Sequence, residues 1–137
     1  MKLFLTASAA LLALSLPALA SGDADAGEKI FKKCKSCHTI ASPDETIVKG
    51  GRTGPNLFGA IGRAAGSVEG FKYSKSMISA GEAGLVWDEE KLAEYVQDPT
   101  AYLKKELDDP KARAKMSFKL RKGGEDVAAY LGTFSTE

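Results

Sequence analysis

The 137-residue sequence contains only one histidine and two cysteines. A structural zinc site needs about four nitrogen or sulfur ligands, so this scarcity excludes one. Two cysteines are also too few for the disulfide framework that supports many small secreted domains. The 19 basic and 18 acidic residues give a formal net charge of only +1, so composition offers no support for nucleic-acid binding.

Beyond the N-terminus, the sequence has no apolar run long enough to cross a bilayer. The one long run, Leu3 to Leu16, follows Lys2 and precedes Ala18-Leu19-Ala20, which has the form of a cleavage site. These three regions predict a secretory signal peptide rather than a membrane span or a buried helix. We expect residues 1–20 to be removed, leaving one domain over 21–137 in a bacterial periplasm.

The scarce residues lie together in the segment Cys34-Lys35-Ser36-Cys37-His38. Two cysteines separated by two residues and followed by histidine form the attachment site of a c-type haem. The two thiols add across the porphyrin vinyl groups, and the imidazole that follows them can ligate the iron. The sequence therefore predicts one haem c (heme c) per chain, covalently attached through Cys34 and Cys37.

A redox-active dithiol or a structural disulfide fits this segment less well. A thioredoxin-like dithiol should lie near a βαβ pattern, and no run of β-branched strand residues flanks Cys34. A disulfide between Cys34 and Cys37 would close a very small loop and would stabilise the fold little.

Helical periodicity and capping residues predict a single all-α domain. Long stretches rich in Gly, Pro, Ser and Asn separate the periodic segments and are expected to be loops, the longest from Thr39 to Gly70. A loop of that length is uncommon unless it has a function, such as wrapping a haem edge. The predicted helices are Asp23 to Lys33, Ser74 to Ala80, Asp88 to Gln97, Pro99 to Leu107 and a terminal helix after Gly124 that extends to Phe134.

Several motifs in a fixed order resemble the class I cytochromes c, specifically the bacterial cytochrome c2 group. The resemblance extends over Gly22 to Phe134 and implies a small fold of helices and long loops around one covalently bound haem. The crossing of the first and last helices would involve Gly27 and Phe31. Besides the haem-attachment segment, the motifs are Thr53-Gly54-Pro55-Asn56-Leu57, Gly62-Arg63, Gly70-Phe71-Lys72-Tyr73, Trp87, Tyr95 with Asp98-Pro99, Lys115-Met116-Ser117-Phe118 and Ala129-Tyr130-Leu131.

The resemblance implies that His38 and Met116 are the two axial ligands of the iron. Met116 lies in a predicted loop, where a purely structural methionine is unusual. Met77 lies on a short helical pattern and is expected to be a core residue, while Met1 would be lost with the leader. Ligation by histidine and methionine raises the reduction potential, since a soft thioether favours ferrous iron.

Five further residues are implied to support the haem. The Pro55 carbonyl would accept the Nδ1–H of His38 and orient the ring. Arg63, Tyr73 and Trp87 would bind the buried propionates, because a carboxylate in a low dielectric needs paired hydrogen bonds. The hydroxyl of Tyr95 would approach the methionine sulfur. Each residue also has a purely structural alternative. Pro55 could be part of a simple turn, Arg63 a surface residue and Tyr73 a half-buried residue, while Trp87 and Tyr95 could be ordinary core residues.

These assignments imply an electron carrier and not an enzyme, because protein ligands fill both axial positions of the iron. The main alternative is a haem-based sensor or gas-binding protein, which requires an open sixth position. A peroxidase would need a distal acid–base residue, and the only histidine is already used.

The expected partners are membrane redox complexes that dock on a monomeric carrier at a lysine-ringed haem edge. Resemblance to cytochrome c2 implies a cytochrome bc1 complex as donor and a photosynthetic reaction centre or terminal oxidase as acceptor. Basic residues around the haem motifs would steer association with acidic surfaces. These residues are Lys32, Lys33, Lys35, Lys115, Lys119 and Lys122.

Overall fold

The computed structural model describes residues 22–135, and the predicted signal peptide lies outside this part of the chain. The described residues form five α-helices and one two-stranded antiparallel sheet. A single 3₁₀ turn, Phe31–Lys33, continues the first helix. The elements are α1 (Ala24–Ile30), β1 (Ile40–Ala41), β2 (Thr46–Val48), α2 (Lys75–Glu82), α3 (Glu89–Gln97), α4 (Pro99–Leu107) and α5 (Gly124–Gly132).

Four of the helices begin where a side chain caps free backbone N–H groups, as the sequence predicted for α3. The Asp88 carboxylate accepts from the Lys91 amide at 2.7 Å. Asp98 accepts from the Ala101 amide at 3.0 Å, with Pro99 in the first turn of α4. Asp23 and Ser74 cap α1 and α2 in the same way. The positions of all five predicted helices are confirmed, although α5 ends at Gly132 rather than at Phe134.

The short hairpin of β1 and β2 lies inside the segment predicted to be wholly loop. Ile40 pairs with Val48 and Ala41 with Thr46, with an irregular register between the two pairs. The Thr39 hydroxyl donates to the Gly50 carbonyl at 3.0 Å and fastens the base of the hairpin. Strands of two and three residues are too short to show an alternating pattern, which is why the sequence did not predict them.

The core forms where α1 and α3 pack against α5. Gly27 of α1 lies against α5 so closely that a Cβ atom there would overlap the Asp126 carbonyl. One turn later, the rings of Phe31 and Tyr130 lie with their centroids 5.6 Å apart. The predicted crossing of the first and last helices at Gly27 and Phe31 is therefore confirmed.

Helices α2 and α4 pack against each other, and α4 also contacts α3. The buried aromatic rings of Trp87, Tyr95 and Tyr102 form a cluster, with centroids 4.9–5.9 Å apart. None of the helices over residues 22–135 is both long and apolar enough to cross a membrane.

The helix crossing predicts the effect of Gly27→Ala. The added methyl group must displace the backbone of α5, so the free energy of unfolding should fall by about 1–3 kcal/mol. Alanine has the higher helix propensity, so any loss must come from the steric conflict. Chemical denaturation of the haem-containing protein measures it. Glu28→Ala, at an exposed position of the same helix, is the control and should change stability by less than about 0.5 kcal/mol. Equal stability of the Gly27 variant and the wild type would contradict the close crossing.

Candidate haem site

An open cavity lies between the attachment segment, α2, α3, α5 and the loop before α5. Its walls are largely apolar, as those of a cofactor pocket are. The structure brings eight of the nine predicted site residues to its walls. These are Cys34, His38, Pro55, Arg63, Tyr73, Trp87, Tyr95 and Met116. The ninth, Cys37, is exposed beside them.

The attachment segment forms a tight turn directly after the 3₁₀ turn. The Cys37 and His38 amides both donate to the Cys34 carbonyl, at 3.1 and 2.9 Å. Cys34 is half-buried at the cavity wall, and no disulfide joins it to Cys37. Burial raises the pKa of the Cys34 thiol, the neighbouring Cys37 adds to this effect, and Lys33 opposes it. Cys34 therefore presents a neutral thiol to the cavity at neutral pH.

Over residues 22–135, His38 is the one buried residue of the polar or charged class, with 8% of its surface exposed. Its Nδ1 lies 2.8 Å from the Pro55 carbonyl oxygen, which can only accept, so Nδ1 carries the proton. Nε2 is then the atom with a free lone pair, as metal ligation requires. Burial lowers the pKa of His38 and the hydrogen bond to Pro55 opposes this effect, so the ring is neutral at neutral pH.

Gly54 leaves the space that the His38 imidazole occupies, a role that the sequence did not predict. A Cβ atom at this position would lie 2.6 Å from Nδ1 of His38 and would overlap Cε1. The Gly54 amide donates to the Cys37 carbonyl at 2.8 Å, so this turn is fastened to the attachment segment itself. Any larger residue would push the ring away from the Pro55 carbonyl.

Arg63 and Tyr73 lie on the cavity wall and also support nearby loops. Nη1 of Arg63 donates to the carbonyls of Asn56 and Phe58, each at 3.1 Å. Burial lowers the pKa of the guanidinium and Tyr73 opposes this effect, but an arginine remains charged. The Tyr73 hydroxyl accepts from the Val68 amide at 3.1 Å.

Trp87 and Tyr95 are buried, at 6% and 8% exposure, and their ring centroids are 4.9 Å apart. Burial raises the pKa of Tyr95, with a smaller contribution from Tyr73. Tyr95 therefore keeps its phenolic proton at neutral pH and can donate a hydrogen bond within the cavity.

Both methionines of the described chain line this cavity. Met116 is half-buried in a loop, whereas Met77 is buried on α2. The sequence predicted Met77 as a core residue, and it belongs to the core, but its contact with the cavity was not expected. Other apolar residues of the cavity wall were predicted only as inward-facing helix residues, because periodicity does not distinguish a cavity wall from a packed core. Leu92, Val96, Val127 and Leu131 are of this kind.

The donor set of the cavity suits a covalently bound haem. It combines a half-buried thiol, a neutral imidazole held in one tautomer, a thioether and an apolar lining, with a guanidinium and aromatic donors near them.

The chain is similar over most of its length to known haem proteins. It is 57% identical to cytochrome c2 of Rhodobacter capsulatus, over 97% of this chain and 98% of that protein. It is 59% identical to cytochrome c-551 of Roseobacter denitrificans, over 87% of this chain and 86% of that protein. The solved structure of the Rhodobacter capsulatus cytochrome c2 superposes with a TM-score of 0.81, covering 82% of this chain and 97% of that one. No protein-family model matches the chain.

The chain belongs to the cytochrome c2 family. The family resemblance and the class I cytochrome c fold inferred from the sequence are thereby confirmed. Cytochromes c2 are electron carriers and not enzymes, and they carry covalently bound haem c. In this chain, Cys34 and Cys37 supply the CxxCH arrangement for that attachment.

Covalent attachment by two thiols predicts that covalently bound haem is lost in steps as the cysteines are replaced. Cys37→Ala should leave haem held through Cys34 alone and lower the yield of haem-containing protein. Replacing both cysteines by alanine should abolish covalent haem. Haem staining after denaturing electrophoresis measures both outcomes. Ser36→Ala, between the two cysteines, is the control and should stain like the wild type. A stained band from the double variant would contradict the assignment.

Proposed function

We propose that this cytochrome c2 is a soluble, periplasmic one-electron carrier whose haem iron is ligated by His38 and Met116. The observation that carries the proposal is that both side chains line one cavity beside the cysteines of the attachment segment. The bound haem supplies a couple between Fe(II) and Fe(III). Residues 1–20 act in this proposal as the export signal for a single domain of residues 21–137.

The chain's contribution to electron transfer is to keep both ligands unchanged between the two oxidation states. The Pro55 carbonyl holds the His38 tautomer, and Gly54 allows the ring to approach that carbonyl. Apolar side chains around Met116 exclude water and favour the less charged state of the site. With His38 and Met116 both holding the iron, no position on it would be open to a substrate, which is the requirement for a carrier.

The polar groups of the cavity have supporting roles in this proposal. Arg63, Tyr73 and Trp87 bind the propionates of the haem, and Tyr95 donates to the sulfur of Met116. The charge of the Arg63 guanidinium and the retained proton of Tyr95 support these roles.

Docking on membrane redox complexes is proposed for the face that carries the lysines named above. All six are exposed. Lys119 forms an ion pair with Asp98 at 3.0 Å, so its charge is partly offset on this face. A cytochrome bc1 complex is the proposed donor, and a photosynthetic reaction centre or terminal oxidase is the proposed acceptor. The carrier is proposed to act as a monomer.

Met116→Ala tests the distal ligand. The change should keep the covalent haem, abolish the iron–sulfur charge-transfer band and lower the reduction potential, since the thioether that favours ferrous iron is lost. It should also open the iron to carbon monoxide. Absorbance spectra and redox titration measure these effects. Met77→Leu is the matched control, because it keeps the volume of the other cavity methionine. Loss of the band in the Met77 variant instead would show that Met77, and not Met116, is the ligand. Carbon monoxide binding by the wild type would favour a gas-binding protein.

Lys35→Glu tests docking. Its rate of reaction with a membrane redox partner should fall several-fold at low salt, and the wild-type rate should decline as salt rises, because the Debye length shortens from about 30 Å at 0.01 M to about 10 Å at 0.1 M. The control is Lys91→Glu in α3, whose exposed contact with Asp88 at 3.8 Å contributes little stability. Stopped-flow kinetics across a salt series measures both variants. Equal sensitivity of the two positions, or a rate that is flat in salt, would contradict the proposed face.

A further inference from the structure

The segment that carries Met116 has no regular structure to hold it. Residues 109–123 contain no helix or strand. Among the described residues, no backbone–backbone hydrogen bond reaches residues 113–119. The position of Met116 therefore depends on packing against the core and on hydrogen bonds from other parts of the chain.

Two hydroxyl groups supply such bonds immediately before Met116. The Ala114 amide donates to Oγ1 of Thr100 at 3.1 Å, and the Arg113 amide donates to Oγ of Ser76 at 2.9 Å. The bond to Thr100 is partly buried, while the bond to Ser76 is exposed. Each hydroxyl takes a backbone N–H that would otherwise have no protein partner.

The two hydroxyls come from helices that pack against each other. Ser76 lies in the first turn of α2 and Thr100 in the first turn of α4, and α2 contacts α4 directly. The loop is thus bonded at two successive residues to a single pair of helices. This pair is a rigid support, because each helix is fixed by its own backbone hydrogen bonds and its cap.

The remaining contacts of the loop fix its backbone less directly. Nζ of Lys115 donates to the Lys72 carbonyl at 2.5 Å, and Lys119 pairs with Asp98. Both begin from long exposed side chains, whose bonds cost conformational entropy to form and contribute little. The Leu120 amide bonds to the Val96 carbonyl only four residues after Met116.

We propose that Thr100 and Ser76 are positioning residues that hold the Met116 loop closed over the haem cavity, with Thr100 the stronger of the two. The inference rests on the proposed ligation of the iron by Met116. Losing either hydroxyl increases the fraction of molecules in which Met116 has left the iron. An external ligand binds only that fraction, so its apparent affinity rises in proportion.

Azide titration of the ferric haem protein tests the inference. Thr100→Val removes the hydroxyl at nearly constant volume and should raise azide affinity roughly three- to tenfold, the equivalent of one lost neutral hydrogen bond. Ser76→Ala should give a smaller rise. Thr100→Ser restores the hydroxyl and should return the affinity close to the wild-type value.

A matched control separates positioning from general destabilisation. The Thr133 hydroxyl donates to the Tyr130 carbonyl at 2.6 Å, just after the end of α5, and makes no hydrogen bond to the Met116 loop. Thr133→Val removes a comparable bond and should leave azide affinity unchanged. A rise for Thr100→Val and Ser76→Ala alone supports the inference. Unchanged affinity in both variants, or an equal rise for Thr133→Val, overturns it. Absence of the iron–sulfur charge-transfer band in the wild type would contradict the proposed function itself.

Discussion

The crossing of α1 over α5 determines where the haem-attachment residues lie. Because Gly27 has no side chain, the two helix backbones approach until a Cβ atom would overlap the Asp126 carbonyl. That approach brings the ring of Phe31 against that of Tyr130 and directs Cys34, three residues further on, to the cavity wall. Val127 and Leu131 of α5 line the same cavity, so the crossing builds one wall from both helices. A wider crossing would separate the attachment cysteines from the apolar surface that faces them.

The chemical groups of the site lie on loops, and each loop is fixed by bonds to something more rigid. The turn containing Gly54 and Pro55 is fastened to the attachment segment and to the imidazole of His38. The guanidinium of Arg63 donates to the carbonyls of Asn56 and Phe58, in the loop that precedes it. The Met116 loop is bonded to hydroxyls on α2 and α4. Long loops are compatible with a well-defined site here, because each is hydrogen-bonded at a few points to a more rigid part of the chain.

Much of this arrangement follows from local sequence patterns. Asp88 before an amphipathic segment and Pro99 after Asp98 predicted where α3 and α4 begin, because side-chain capping and the fixed φ of proline act within one helical turn. The motif with Cys34, Cys37 and His38 predicted the cofactor, since its spacing is dictated by the chemistry of the attachment.

Other features depend on contacts between residues distant in sequence, which no local pattern reports. Ser76 and Arg113 are 37 positions apart, and the clash that requires Gly54 arises only after the chain returns to His38. Met77 looked like an ordinary core residue, because a helical period marks an inward face without showing whether a cavity lies behind it. The strands β1 and β2 were not predicted, because two or three residues are too few to show an alternating pattern.

Electron transfer as proposed requires His38 and Met116 to hold the same haem iron. Proton NMR of the reduced mature protein with labelled methionine methyl groups tests this arrangement, because a methyl group over a porphyrin face is strongly shifted upfield by the ring current. We expect one strongly shifted methyl resonance, which disappears in Met116→Ala and persists in Met77→Leu. A spectrum with no such resonance, or one whose shifted signal belongs to Met77, would contradict the proposed ligation.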